Sequence, residues 1–167
     1  MPDHMTKEHI IPVGPLKLAA LESCAQFGAA VDRHLCDTRH HSPIVDPGDA
    51  ATIPGYLKDS YLLDCSCPRF GTGEGKGQIN ESVRGCDLFL LVDITNYSLT
   101  YSLCGHVNHM SPDNHYQDLK RLISAANGKA KRITVIMPFL YEGRQHKRSM
   151  RESLDCSLAL QELVDMG

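Results

Sequence analysis

The chain has 167 residues, of which 42% are hydrophobic, and a formal net charge of −3, so it can bury one core and carries no chain-wide positive field. This charge balance argues against a dedicated nucleic-acid binder. No apolar run approaches the roughly 20 residues of a membrane span, and the first residues lack the apolar core of a secretion signal. We therefore expect one globular domain in the cytoplasm that binds neither nucleic acid nor a membrane.

The first predicted element is an amphipathic helix from Leu16 to Leu35. Its apolar residues recur at intervals of three and four, which is the spacing of one helix face. The next stretch, Cys36 to Tyr56, is rich in Pro, Gly, Asp and His and shows no sustained period, so we expect a long loop or an insertion. A short β-prone run, SYLLDCSC, follows it. Residues 1–15 are expected to form an N-terminal tail and residues 16–167 the domain.

The second half of the chain predicts a strand, a helix and a second strand in a βαβ arrangement. Leu88 to Val92 are continuously apolar, as in a parallel strand that is covered on both faces. A helix should begin after Ser111, which is a suitable N-cap, with Pro112 at the first helical position. The apolar run RITVIMPF is the second strand, and a last amphipathic helix covers residues 153–165. This order predicts an α/β domain with a mainly parallel sheet flanked by helices.

A basic loop follows the second strand, within the segment YEGRQHKRSMRES from Tyr141 to Ser153. Four cations lie within eight residues of a mildly acidic chain: Arg144, Lys147, Arg148 and Arg151. Ligands of open α/β sheets bind at the carboxyl ends of the strands, which is where this loop begins. A solvated loop without a ligand is the alternative, since runs of charge are usually surface features. The position of the loop favours an anion-binding site.

Three motifs resemble, in order and spacing, the N-terminal half of ribose-phosphate pyrophosphokinase. They are FGTGE, INESVRGCD and RITVIMPFLYEGRQHKR, where the family has patterns close to F-S-D-G-E, I-x-E-S-V-R-G-x-D and Y-A-R-Q-D-R-K. Between the last two, DNHYQDLK loosely matches the family's N-D-x-L-M-E-L-L helix start. The resemblance covers most of the chain outside Cys36 to Tyr56.

This resemblance implies a phosphoribosyltransferase-like N-terminal domain, incomplete at its C-terminus, from an enzyme that has two such domains. The family transfers diphosphate from Mg-ATP to ribose 5-phosphate, so the resemblance implies ATP, ribose 5-phosphate and Mg²⁺ as ligands and a homo-oligomer as the assembly. The family's acidic loop for ribose 5-phosphate and diphosphate has no counterpart in this sequence. We therefore expect the chain alone to be inactive, and we assign none of its residues a catalytic role.

The resemblance implies two groups of ATP-binding residues, of which the first lies in the basic loop. Arg144 and Gln145 correspond to the R-Q pair that lines the family's ATP site. A guanidinium there can stack on adenine or bind phosphate oxygens in a bidentate manner. His146 stands where the family usually has Asp, and an imidazole cannot supply a permanent negative charge.

The second group lies in FGTGE. Phe70, Thr72 and Glu74 occupy the places from which a neighbouring subunit of the family supplies an aromatic face and polar contacts to adenine. Thr72 stands where Asp or Asn is usual, so the recognition of the base is expected to differ. Taken alone, GTGEGKG would be interpreted as a flexible turn, because its four glycines fit a loop as readily as a phosphate site.

Two alternatives to an enzyme remain open. The chain could be a non-catalytic regulatory or assembly homologue, which the departures at Gly71, Thr72 and His146 would fit. It could also be an incomplete gene product with no function alone.

Histidines and cysteines offer one further functional interpretation, a zinc site. The candidate ligands are His106, His109, His115, Cys65 and Cys67. Their spacing matches no standard zinc pattern. The seven cysteines also lack the regular spacing of a secreted disulfide framework. We therefore predict solvated loop histidines, reduced core thiols and no metal-binding residues.

Overall fold

The computed structural model describes residues 12–41 and 47–167. Its elements are β1 (Leu16–Ala20), a 3-10 turn (Glu22–Cys24), α1 (Ala25–His41), α2 (Pro47–Thr52), β2 (Cys65–Ser66), β3 (Gln78–Ile79), β4 (Asp87–Leu91), β5 (Thr100–Leu103), β6 (His106–His109), α3 (Pro112–Ala126), β7 (Arg132–Ile136) and α4 (Asp155–Asp165). Over these two ranges no helix is long and apolar enough to cross a lipid bilayer.

The central sheet has three parallel strands in the order β1-β4-β7. Asp87, at the start of β4, is the register partner of Leu16 in β1 and of Arg132 in β7. Its carboxylate accepts two hydrogen bonds from the Arg132 guanidinium, at 2.8 and 2.5 Å. The expected α/β fold with a parallel sheet between helices is therefore confirmed, and β4, α3 and β7 form the expected βαβ unit.

Helices cover the two faces of the sheet and enclose two apolar clusters. On one face, alternate residues of β4 such as Leu88 and Leu90 pack against the buried side of α3, for example Leu119, and against Ala159 of α4. On the other face, α1 contributes to a smaller cluster around Leu91. The central strand is buried on both faces, which explains its uninterrupted apolar sequence.

Helix α3 begins as the sequence predicts. The Ser111 hydroxyl accepts a hydrogen bond from the Asn114 amide, and Asn114 Oδ1 accepts one from the Ser111 amide, so the first turn has a full capping box. Pro112 occupies the first helical position. The helix ends at Asn127, whose φ of 49° is left-handed, followed by Gly128 at 61°.

The predicted helix from Leu16 to Leu35 is wrong over its first part. Leu16–Ala20 is strand β1, and the α-helix extends from Ala25 to His41. The segment LKLAA is compatible with either state, and its pairing with β4, about 70 residues away in the chain, decides the outcome because it satisfies the backbone donors and acceptors.

The expected loop from Cys36 to Tyr56 is also partly wrong. Residues Cys36 to His41 continue α1, and Pro47–Thr52 forms the short helix α2. The described residues do not include positions 42–46 of this expected loop. They also leave out most of the N-terminal tail expected at residues 1–15.

An unexpected β-hairpin connects β4 to α3. Strands β5 and β6 pair through four residues each, and Cys104 and Gly105, with φ of 50° and 84°, form the two-residue turn. The sequence predicts loop positions for His106 and His109, but both lie on β6. His115 is wrongly predicted as a solvated histidine, since it is only 1% exposed on the inner side of α3.

Candidate functional site

The carboxyl ends of β1, β4 and β7 meet at one edge of the sheet and line an open cleft. Its polar lining comes mostly from the turn after β4, where Asp93 Oδ1 accepts hydrogen bonds from the Thr95 amide at 2.8 Å and the Thr95 hydroxyl at 2.6 Å. Asn96 Nδ2 donates to the Ser23 carbonyl at 2.9 Å, which joins this turn to the end of β1. Phe139 closes the side next to β7. Ligands of parallel sheets bind at such an edge.

Sequence reasoning missed this cleft. The available signal was the group of polar residues Asp93, Thr95 and Asn96 directly after the apolar strand, but Ser23 and Phe139 come from distant parts of the chain.

The basic loop leaves the same edge after β7 and is fastened to both neighbouring helices. The Tyr141 ring stacks on Tyr116 of α3 at 4.2 Å between centroids, and its hydroxyl donates to Asp113 at 2.7 Å. Burial, followed by the bond to Asp113, raises the pKa of Tyr141, so its phenol stays neutral at physiological pH. Gln145 Nε2 donates to the Ser153 carbonyl at 2.8 Å within the loop. The Cys156 amide, in the first turn of α4, donates to the Gln145 carbonyl at 3.4 Å. The loop is therefore held to α3 at Tyr141 and to α4 at Gln145.

The four cations of this loop point into solvent. Arg144, Lys147, Arg148 and Arg151 are exposed, and none forms an ion pair with any of residues 12–41 or 47–167. His146 Nδ1 lies 2.9 Å from the Gly143 carbonyl. The loop therefore concentrates positive charge, without an ion-pair partner among the described residues, beside the carboxyl ends of the strands.

The second predicted group lies in a tight turn between β2 and β3, which we call the 70–74 turn. The Phe70 amide donates to the Glu74 carbonyl at 2.7 Å, and the Gly73 amide to the Phe70 carbonyl at 2.8 Å. The Thr72 hydroxyl donates to Glu74 Oε2 at 3.0 Å. The Phe70 side chain is 54% exposed, which leaves an aromatic face free on the surface.

The structure does not bring the two predicted groups together within one chain. Phe70, Thr72 and Glu74 lie in the 70–74 turn, and Arg144, Gln145 and His146 lie in the basic loop. No hydrogen bond, ion pair or ring contact joins one group to the other among the described residues. The six residues also do not line the cleft at the sheet edge.

A separate cavity of about 300 Å³ lies between the end of β1, β2, β5 and α3. Asp118, 8% exposed in its side chain, accepts from Arg69 Nη2 at 2.7 Å and from Arg121 Nη1 at 2.6 Å along its wall. His115 Nε2 lies 2.7 Å from the Asn96 carbonyl, and it must donate because a carbonyl only accepts. This polar wall connects the cavity to the sheet-edge turn.

Cys65 and Cys67 also line this cavity as free thiols. Burial, with the nearby carboxylate of Asp64, raises the pKa of Cys65 to about 11. Burial, with Asp118, raises the pKa of Cys67 to about 12. At neutral pH both are protonated and poor nucleophiles or metal ligands. Across the described part of the chain, no three His, Cys, Asp or Glu side chains converge as metal ligands would.

Comparison with known protein families identifies the family of this chain. A family model of the N-terminal domain of ribose phosphate pyrophosphokinase matches residues 16–167. The chain belongs to this family. The predicted resemblance is therefore confirmed.

Individual relatives of this pyrophosphokinase domain support the same family. The ribose-phosphate pyrophosphokinase of Parasynechococcus marenigrum is 33% identical over 126 residues, which are 73% of this chain and 33% of the relative. Ribose-phosphate pyrophosphokinase 1 of Spinacia oleracea is 28% identical over 142 residues, which are 84% of this chain and 38% of the relative. The chain thus spans about a third of the length of these relatives.

A solved structure shares the fold. The crystal structure of phosphoribosylpyrophosphate synthetase from Mycobacterium smegmatis superposes with a TM-score of 0.56 at 24% identity, covering 91% of this chain and 39% of that chain. At this identity the likeness concerns the fold alone.

Proposed function

We propose that this chain is the ATP-side domain of a cytoplasmic ribose-phosphate pyrophosphokinase and that its basic loop binds the nucleotide. The observation that carries the proposal is the state of that loop: Tyr141 and Gln145 hold it to α3 and α4, while Arg144 and its neighbouring cations stay exposed and unpaired among the described residues. Such a preorganised cationic loop suits a polyphosphate.

The reaction of the complete enzyme would be attack of the ribose 1-hydroxyl on the β-phosphorus of ATP. The new O–P bond forms as the bond from the β-phosphorus to the oxygen that bridges to the α-phosphorus breaks, so AMP leaves with that oxygen and the hydroxyl proton is released. Mg²⁺ would arrive with the nucleotide and neutralise its phosphate charge. The basic loop supplies cations rather than metal ligands, so this chain would meet Mg²⁺ through the phosphates. Arg144 and Gln145 would bind and orient ATP, whereas ribose 5-phosphate would be bound by a part of the enzyme that this chain does not include.

The 70–74 turn would act across a subunit boundary. Its exposed Phe70 ring and the Thr72–Glu74 pair lie apart from the basic loop of the same chain, which is the arrangement expected if they complete the adenine site of a neighbouring copy. The assembly would then be a homo-oligomer. His146 would stay a secondary contact, since one ring nitrogen already faces the Gly143 carbonyl.

A non-catalytic homologue, serving regulation or assembly, is the second candidate. It is favoured by the internal bond between Thr72 and Glu74, which uses polar groups that base recognition would need. Such a homologue would keep the fold and the subunit contacts but would not bind ATP.

Isothermal titration of the chain with Mg-ATP and with Mg-GTP separates these candidates. We expect saturable binding of ATP, weaker binding of GTP, and loss of ATP binding in Arg144→Ala, because the variant removes the cation that contacts the nucleotide. Arg33→Ala is the matched control, since Arg33 is an exposed arginine on α1, away from the loop. If Arg144→Ala titrates like the unaltered chain, the assignment of the loop is wrong.

A further inference from the structure

The β5–β6 hairpin lies against the 70–74 turn. The amide of Cys104, at the tip of the hairpin, donates to the Gly71 carbonyl at 3.0 Å. Cys104 adopts a left-handed φ of 50°, which a non-glycine residue rarely takes, and in this conformation its amide points at the turn. The two segments are about 30 residues apart in the chain, so the contact is a tertiary one.

Gly73 provides the second contact between them. A Cβ atom at Gly73 would lie 3.0 Å from Leu103 Cδ1 and 3.3 Å from Tyr101 Cε2, so the backbone of the turn packs directly on these two side chains. Next to the turn, the Arg69 guanidinium lies 5.5 Å from the centre of the Tyr101 ring. One side of the turn is thus held by the hairpin, while Phe70, Thr72 and Glu74 remain exposed.

The turn needs such support because of its composition. Gly71 and Gly73 within the turn, and Gly75 directly after it, give this backbone wide conformational freedom. An unsupported loop of this kind must be ordered when a ligand binds. Support that exists before binding lowers this entropy cost and therefore strengthens binding.

We propose that the β5–β6 hairpin positions the 70–74 turn, with Leu103 as the main positioning residue, and thereby sets the affinity for adenine nucleotides. This inference rests on the proposed function of the turn as an adenine contact. Leu103 itself touches the turn and not the nucleotide.

The test compares Leu103→Ala with Val107→Ala. Both remove apolar atoms from the hairpin, but Val107 is 75% exposed on β6 and is not among the side chains that meet Gly73. We expect Leu103→Ala to weaken Mg-ATP binding about tenfold, to speed amide hydrogen exchange at Gly73 and Cys104, and to leave exchange in α3 unchanged; this factor corresponds to about 1.4 kcal/mol. Val107→Ala should bind like the unaltered chain, and Leu103→Met should restore binding.

Three results would count against the inference. If the unaltered chain binds Mg-ATP and Leu103→Ala binds it equally well, the hairpin has no positioning role, although the proposed function stands. If Leu103→Ala and Val107→Ala weaken binding equally, the effect is one of general stability and the inference fails. If the unaltered chain does not bind Mg-ATP, both proposals fall. Should Leu103→Ala lose cooperative unfolding, Leu103→Val allows the same comparison with a smaller deletion.

Discussion

Asp118 lies on the buried side of α3 between two arginines. Its burial and its ion pair with a distant residue are not visible in the local sequence pattern. The sequence predicts the apolar stripe of α3 correctly, because residues three and four apart share a face. It gives no indication that Asp118 is buried, since one of its partners, Arg69, lies 49 residues away. The carboxylate joins α3 to the segment after β2 and accepts a hydrogen bond from each of the two guanidinium groups.

Asp118→Asn should therefore lower the free energy of unfolding by about 3 kcal/mol, because it leaves Arg69 nearly buried without a countercharge. Urea unfolding followed by circular dichroism measures the change. Asp165→Asn is the control: this carboxylate is exposed and, among the described residues, accepts from Gln161 alone, at 2.9 Å, so its loss should have little effect. Equal unfolding midpoints for the two variants would contradict the structural role of Asp118.

Helix α3 and strand β1 mark the two extremes of what the sequence predicts at the scale of elements. The start of α3 is fixed by neighbours in the chain, namely Ser111, Pro112 and Asn114, and it was predicted. The state of β1 depends on pairing with β4, and the β5–β6 hairpin depends on a Cys104–Gly105 turn that lacks the usual Asn-Gly or Asp-Gly signal. Elements defined by local bonds could be predicted, and those defined by distant partners could not.

Ser111→Ala tests the local control of α3. The variant removes the hydroxyl that accepts from the Asn114 amide at 3.2 Å, and we expect it to lower the free energy of unfolding by about 1 kcal/mol. Ser124 is at an exposed position near the other end of the same helix. Ser124→Ala should change the free energy of unfolding by about a few tenths of a kcal/mol at most, because serine and alanine differ little in helix propensity. If Ser124→Ala destabilises the domain as much as Ser111→Ala does, the capping box is not what fixes the start of α3.

The whole molecule presents apolar surface beside the free edge of its three-stranded sheet. Strand β7 has a partner on one side only among the described residues. Large apolar side chains near this edge and on α4 are exposed, namely Ile136, Phe139, Leu140, Leu158 and Val164. Unpaired edges and contiguous apolar patches promote association.

We therefore expect the chain to self-associate at tens of micromolar, as measured by light scattering after size exclusion. Ile136→Lys should reduce this association by placing a charge on the edge strand. Val107→Lys introduces the same charge on the exposed hairpin and should leave the association unchanged. A monomer at all concentrations would contradict the expectation.

The candidate site was predicted only where its residues are adjacent in the chain. The basic loop and the 70–74 turn are continuous segments with family motifs, so both can be proposed from the sequence alone. The cleft of Ser23, Asp93 and Phe139 exists only because three parallel strands end at one edge, and the support of the turn by Leu103 exists only in the folded chain.

Mapping of Mg-ATP on the chain by amide chemical shifts tests the central claim most directly. The account predicts saturable shifts at Arg144 and Gln145 in the basic loop, together with shifts in the 70–74 turn of an associated copy, and their loss in Arg144→Ala but not in Arg33→Ala. Shifts confined to other parts of the molecule, such as the Asp93 cleft alone, or no shifts at all, would contradict it.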